Sequence, residues 1–195
     1  MKHTCSPHNI RRNTGFSVIE LMIVLSIASI LLMVAIPSFV ETTARSAIRT
    51  SVNELATELS MARNAAVTRS SSVSLCPSDV SITPQACDNG DWNEGWLTFY
   101  DDDGDGTLDA GEILIRIHDA LGSRVDITLD NTVTFNSRGM KANVSEFKIC
   151  RAGNTDAAYA RSVVVNVGGL VRGARDTDQD GIFNSGEGGA NLSCP

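Results

Sequence analysis

Two short stretches gather carboxylates at intervals that suit a hard cation. Asp101, Asp103, Asp105, Asp109 and Glu112 stand at positions 1, 3, 5, 9 and 12 of a twelve-residue loop, with Gly106 at position 6 and Leu108 at the apolar position 8. Asp176, Asp178, Asp180 and Glu187 repeat positions 1, 3, 5 and 12 of that pattern, again with a glycine, Gly181, at position 6. A tight loop turns alternate side chains inward, and calcium takes six to eight oxygens. The same composition also builds plain hairpin turns. Residues 96–100 and 113–118, which flank the first loop, read as strands rather than as the helices that usually flank a calcium loop. Calcium is the expected ligand if these loops bind one, and no cofactor is required.

The two loops also account for the acidity. The formal net charge is -7. Segments 101–112 and 176–187 hold ten acids and no bases, while Lys2, Arg11 and Arg12 give the first fifteen residues a positive charge. The remaining acids and bases cancel, 13 against 13. The negative charge is therefore local, which argues against a generally acidic surface.

Cys5 lies in the basic start of the chain; Cys76, Cys87, Cys150 and Cys194 follow at irregular spacings with no C-x-x-C pair of the kind zinc sites use. Four cysteines allow three pairings. The favoured one joins Cys76 to Cys87, closing a short loop, and Cys150 to Cys194, pinning the C-terminus. Disulfides imply an oxidising compartment such as the periplasm.

A third chemical feature is a single carboxylate in an apolar run. Phe16 to Ile36 are 21 residues whose only charge is Glu20. As a helix the run spans about 32 Å, close to the hydrocarbon thickness of a bilayer. Arg11 and Arg12 precede it, so the N-terminus stays cytoplasmic and the remainder is exported. An ordinary signal peptide needs a small-x-small cleavage site, and Ala35-Ile-Pro-Ser38 is a poor one. A carboxylate within a membrane costs roughly 2.5–3.5 kcal/mol, so Glu20 needs a cationic partner.

Gly15-Phe16-Ser17-Val18-Ile19-Glu20-Leu21, after a basic leader and before the apolar run, resembles the cleavage motif of type IV pilins and type II secretion pseudopilins. The resemblance implies that a prepilin peptidase cuts between Gly15 and Phe16 and methylates the new terminus at Phe16. It also implies that Glu20 pairs with the terminal amine of a neighbouring subunit during assembly. A carboxylate given a cation in this way offsets its desolvation.

These features need elements to carry them. Pro37 is expected to end or kink the first helical stretch. Val40, Ala44, Ile48, Val52, Leu55, Leu59, Ala62 and Ala66 then recur in steps of three and four, one face of an amphipathic helix running to about Arg69. Arg45, Arg49, Glu54, Glu58 and Arg63 fall on other faces. Ser70 to Ser72 break the helix. Strands are expected at 73–76, 96–100, 113–118, 125–129, 133–136, 146–150, 160–167 and 169–173, where Val, Ile, Thr and aromatics are enriched between Gly, Asn and Asp. The chain thus divides into a leader at 1–15, a membrane or filament-core helix at 16–36, its amphipathic continuation at 37–70 and a β-rich head at 71–195. The fold class is α+β, with one long N-terminal helix laid on a β-rich globular domain.

Val73-Ser-Leu-Cys-Pro77, Gly95-Trp-Leu-Thr-Phe-Tyr-Asp101, the acidic segment after it and the C-terminal cysteine together resemble the GspH/FimT family of minor pilins. That resemblance implies a type IV pilin-like fold and a structural role in a filament, anchored by one pass of the bacterial inner membrane with its head in the periplasm. The expected partners are prepilin peptidase, other pilins or pseudopilins and membrane lipid. The first expectation is a minor component of a type II secretion pseudopilus; the alternative is a FimT-like minor pilin of a type IV pilus, with DNA capture as a further variant. DNA binding needs exposed cations. Some FimT-like proteins carry Gly-Arg-x-Arg near the C-terminus, whereas this chain reads Gly169-Leu170-Val171-Arg172, with Arg175 nearby and Asp176 adjacent. Nucleic acid is therefore not expected, and Arg172 and Arg175 are better read as balancing the acidic loop. Catalysis is not expected either. Beyond the leader the single histidine is His118, and no G-x-x-x-x-G-K phosphate loop occurs.

Overall fold

The computed structural model describes residues 15–87, 91–129, 132–186 and 189–195, with the backbone alone at Pro37. Helix α1 runs from Val18 to Arg69 as one element of 52 residues. It passes through Pro37 without ending there. The missing proline amide removes one intrahelical hydrogen bond, and the helix continues beyond it. Contacts divide the chain into two units, Met1–Glu41 and Thr42–Pro195.

In the second unit the apolar face of α1 is buried. Ala44, Ile48, Leu55, Leu59, Ala62 and Ala66 are all 5% exposed or less, with Val52 packed beside them. Each fully buried Leu or Ile contributes about 1.5–3 kcal/mol. Val40, first in the expected series, is exposed and lies in the other unit. The helix stops at Ser70, whose φ of 53° is left-handed, and the Ser71 amide donates back to the Ala66 carbonyl. This six-to-one bond closes the last turn.

All eight expected strands are present, with every end within two residues of its expected position: β1 Val73–Pro77, β2 Trp96–Tyr100, β3 Leu114–His118, β4 Val125–Thr128, β5 Val133–Phe135, β6 Ser145–Arg151, β7 Arg161–Val165 and β8 Val171–Gly173. They form two antiparallel four-stranded sheets, ordered β3-β2-β1-β5 and β4-β6-β7-β8. The shared core contains Leu55 and Leu59 of α1, Leu75, Trp96, Phe135, Phe147 and Ile149 of the strands, and Trp92 from a 3-10 turn at Trp92–Glu94. Trp92 meets Phe147 edge-on at 4.9 Å between ring centroids, a favourable aromatic geometry.

Each sheet also has a second apolar layer. Cys76, Leu97 and Phe99 are covered by Val80, Cys87, Leu108 and Leu114. Cys150 and Ala160 pack with Leu192, Phe183 and Cys194. β1 is buried at every residue, whereas β6 alternates as far as Cys150, which the second layer covers.

Candidate functional site

The N-terminal site is built on the first turn of α1. Ser17 accepts the Leu21 amide as the helix begins, and Glu20 lies in that first turn, one turn beyond Phe16. Phe16 is 85% exposed, and Val18, Ile19, Leu21, Met22 and the apolar residues after them are exposed too. Among the described residues, α1 is the one helix long and apolar enough to cross a membrane. Ser26 and Ser29 donate their hydroxyls to the Met22 and Ser26 carbonyls, so neither carries an unmet donor into apolar surroundings. The basic leader, with Cys5, Arg11 and Arg12, lies outside the described residues.

The two acidic loops share one backbone design. In the first, the Asp101 carboxylate accepts the amides of Gly104 and Gly106; in the second, Asp176 accepts those of Gln179 and Gly181. These are positions 4 and 6 of each loop. The same two positions, together with position 11, are left-handed in both: Gly104, Gly106 and Gly111, then Gln179, Gly181 and Gly186. Position 5 accepts the amide of position 7 in each, Asp105 from Thr107 and Asp180 from Ile182. Thr107 donates its hydroxyl as well, and these bonds hold the Asp105 carboxyl below its ordinary pKa.

The structure gathers part of the first expected ligand set and, among the described residues, all three aspartates of the second. Asp101, Asp103 and Asp105 bring carboxylate oxygens within 4.8 Å of one another, and so do Asp176, Asp178 and Asp180. Asp109 and Glu112 do not join the first cluster. Glu112 instead accepts the amides of Asp102 and Asp109. The cause is the hairpin: the Tyr100 amide bonds to the Ile113 carbonyl across the loop's base, so position 12 clasps the loop rather than entering it. Asp101 is fully buried and also accepts the Ser74 hydroxyl, which makes it an anchor of the hairpin. Glu187 lies outside the described residues.

The disulfides are Cys76–Cys87 and Cys150–Cys194, with Cα separations of 5.5 and 5.8 Å. Arg172 is exposed on β8, opposite Val164, and Arg175 bridges to Asn184 beside Asp176. Gly169 has a packing role: a Cβ there would lie 1.8 Å from the Gly139 carbonyl oxygen. Arg63 ties these two turns to α1, donating to the carbonyls of Gly139 and Gly168.

Glu58 departs from the expected pattern. It is 3% exposed, and its Oε1 lies 2.8 Å from Arg116 Nε, while Oε2 is buried without a partner. Helical periodicity places it next to the buried stripe, but only the facing Arg116 of β3 makes burial affordable, and no local signal names that partner. His118, at the end of β3, stacks on Trp96 at 3.7 Å and 9°, with Nδ1 2.8 Å from the Asp119 carbonyl.

Residues 51–169 match the family described as type II transport protein GspH, and residues 10–36 match the prokaryotic N-terminal methylation motif. No curated protein matches. Two crystal forms of the type IV minor pilin FimU of Pseudomonas aeruginosa are similar in structure. One aligns with a TM-score of 0.50 at 22% identity, covering 67% of this chain and 90% of that one. The other gives 0.48 at 22% identity, over 65% and 92%. The pilin-type fold and the two matched segments agree, and the chain belongs to the GspH family of pilin-like proteins, carrying its N-terminal methylation motif.

Proposed function

We propose that this chain is a minor, non-catalytic subunit of a pilin-type filament, held in the bacterial inner membrane by the first half of α1 with its head in the periplasm until assembly. The observation that carries this reading is the N-terminal helix. Its apolar side chains are exposed, and its one carboxylate, Glu20, stands one turn from Phe16 inside a matched methylation motif. Prepilin peptidase cuts after Gly15 and methylates Phe16. Glu20 then receives the terminal amine of an adjacent subunit, which replaces the cost of an isolated carboxylate in apolar surroundings with an ion pair.

The test is mass spectrometry of the N-terminus after expression in membranes with the peptidase. A product starting at methylated Phe16 supports the proposal. An uncut chain, or cleavage near Ser38, sinks it.

Two filament systems fit. A type II secretion pseudopilus is supported by the family's description. A type IV pilus is supported by the resemblance in fold to FimU. Deleting the gene separates them: loss of exported proteins from the medium supports the first, and loss of surface pili supports the second.

Within this reading we propose calcium as an optional ligand of the acidic loops. Its support is the repeated left-handed pattern that turns three carboxylates inward in each. Backbone carbonyls and water supply the remaining oxygens. Titration calorimetry without heat, and melting unchanged by calcium, would remove it.

A further inference from the structure

Four arginines converge on one side of the head. α1 contributes Arg45 and Arg49, one helical turn apart; β6 ends at Arg151 and β7 begins at Arg161. Tyr159 links them: the Cζ atoms of Arg45 and Arg151 each lie 5.4 Å from its ring centroid. Arg161 lies 3.8 Å from the Phe183 ring centroid and donates to the carbonyls of Ala158 and Ala160. Aromatic faces and backbone carbonyls thus hold several of these guanidiniums in place, which reduces the entropy a partner must remove. Glu41 stands one helical turn before Arg45 on α1, and Asp156, between Arg151 and Arg161, caps the Ala158 amide.

Gathering these charges is unfavourable by itself. Burial, and then the charges of Arg45 and Arg49, hold the Arg161 guanidinium below its ordinary pKa. The assembly also runs against a chain whose net charge is -7. An oxyanion would relieve the repulsion, and the planar guanidinium fork matches a carboxylate in two-point geometry.

We propose that Arg45, Arg49, Arg151 and Arg161 form a docking face for a carboxylate-bearing surface of the adjacent filament subunit. This rests on the filament reading above. Subunits in a helical filament meet through unlike surfaces, so a cationic face on one side calls for an acidic one on the next. This chain itself displays that acidic chemistry, at the exposed Asp102 and Asp109 of the β2–β3 loop. Charge complementarity of this kind selects the neighbour and sets its orientation more than it adds affinity.

The test uses the full-length chain, co-expressed with the other filament subunits and purified in mild detergent. The amount of co-purified subunit is compared for wild type, the neutral pair R45Q/R49Q, the reversed pair R45E/R49E and R151E. Reversal is expected to lower retention about tenfold, the equivalent of a few exposed ion pairs, and neutralisation to lower it less. Wild-type retention should fall as salt rises. Processing at Phe16 and the melting temperature should hold, and the neutral pair keeps the test valid if a reversed variant misfolds.

Equal retention by all variants at every salt concentration, with retention lost in Glu20→Leu, overturns the docking face and leaves the filament reading intact. If wild type itself retains no subunit, both fall. If the variants keep their partners but lose binding to phosphatidylglycerol vesicles, the occupant is a lipid headgroup and the proposal is wrong.

Discussion

The two halves of α1 are built from similar residues and have opposite fates. Leu55 and Leu59 are wholly buried within the head's own unit, whereas Leu21, Leu25, Leu31 and Leu32 are each more than half exposed. Each half carries a glutamate in apolar company. Glu58 has Arg116 at 2.8 Å within the same chain; Glu20 is exposed in a run with no other charge. One half of the helix is covered by folding and the other is left exposed. Glu58 thus has its counter-charge within the fold, whereas the function proposed for Glu20 requires a cation from another subunit.

The contrast can be broken most sharply at Glu20. Glu20→Leu is expected to abolish incorporation into filaments while leaving the head's melting temperature unchanged, as read by co-purification and by thermal melts. Removing either disulfide, by Cys150→Ser with Cys194→Ser or by the same change at Cys76 and Cys87, should cost the head about 2–4 kcal/mol in denaturant melts. It should not alter membrane insertion.

Arg116→Ala leaves Glu58 buried and unpaired. The expected loss is about 2 kcal/mol, below the roughly 3–5 of a fully buried pair, because Arg116 is 54% exposed and screened by water. Replacing both partners, as Glu58→Leu with Arg116→Leu, should recover most of that loss. If Arg116→Ala has no effect on stability, Glu58 is not the internal counterpart of Glu20. The smallest effect is at the helix end: Ser70→Gly relieves a left-handed serine and should add about 0.5–1 kcal/mol.

Much of this was legible in residue patterns. The stripe from Ala44 to Ala66 is buried as its spacing requires, because helical periodicity is local. The strands likewise follow from β-branched and aromatic runs between turn residues, and the disulfides join the favoured pairs, one closing a short loop and one pinning the C-terminus. What pairing alone decides was not legible. The sheet order β3-β2-β1-β5 brings together residues up to 62 positions apart, as in Val73 opposite Phe135. Glu58 looked like a surface residue because its partner lies on a distant strand. Glu112 fitted a ligand template by spacing, yet the hairpin turned it into a clasp. Gly169 belonged to a segment inspected for DNA-binding arginines, but it is needed where two turns touch.

The junction after α1 has a mechanical consequence. Only Ser70, Ser71 and Ser72 separate the helix from β1, and β1 is an inner strand, paired with β2 over five residues and with β5 over three. Tension applied along the helix therefore enters the head through a strand gripped on both sides, not through an edge that could peel away one hydrogen bond at a time. The Cys76–Cys87 link adds a covalent stop near the far end of the same strand. A subunit hauled by its anchor would yield last at the place where the pull arrives.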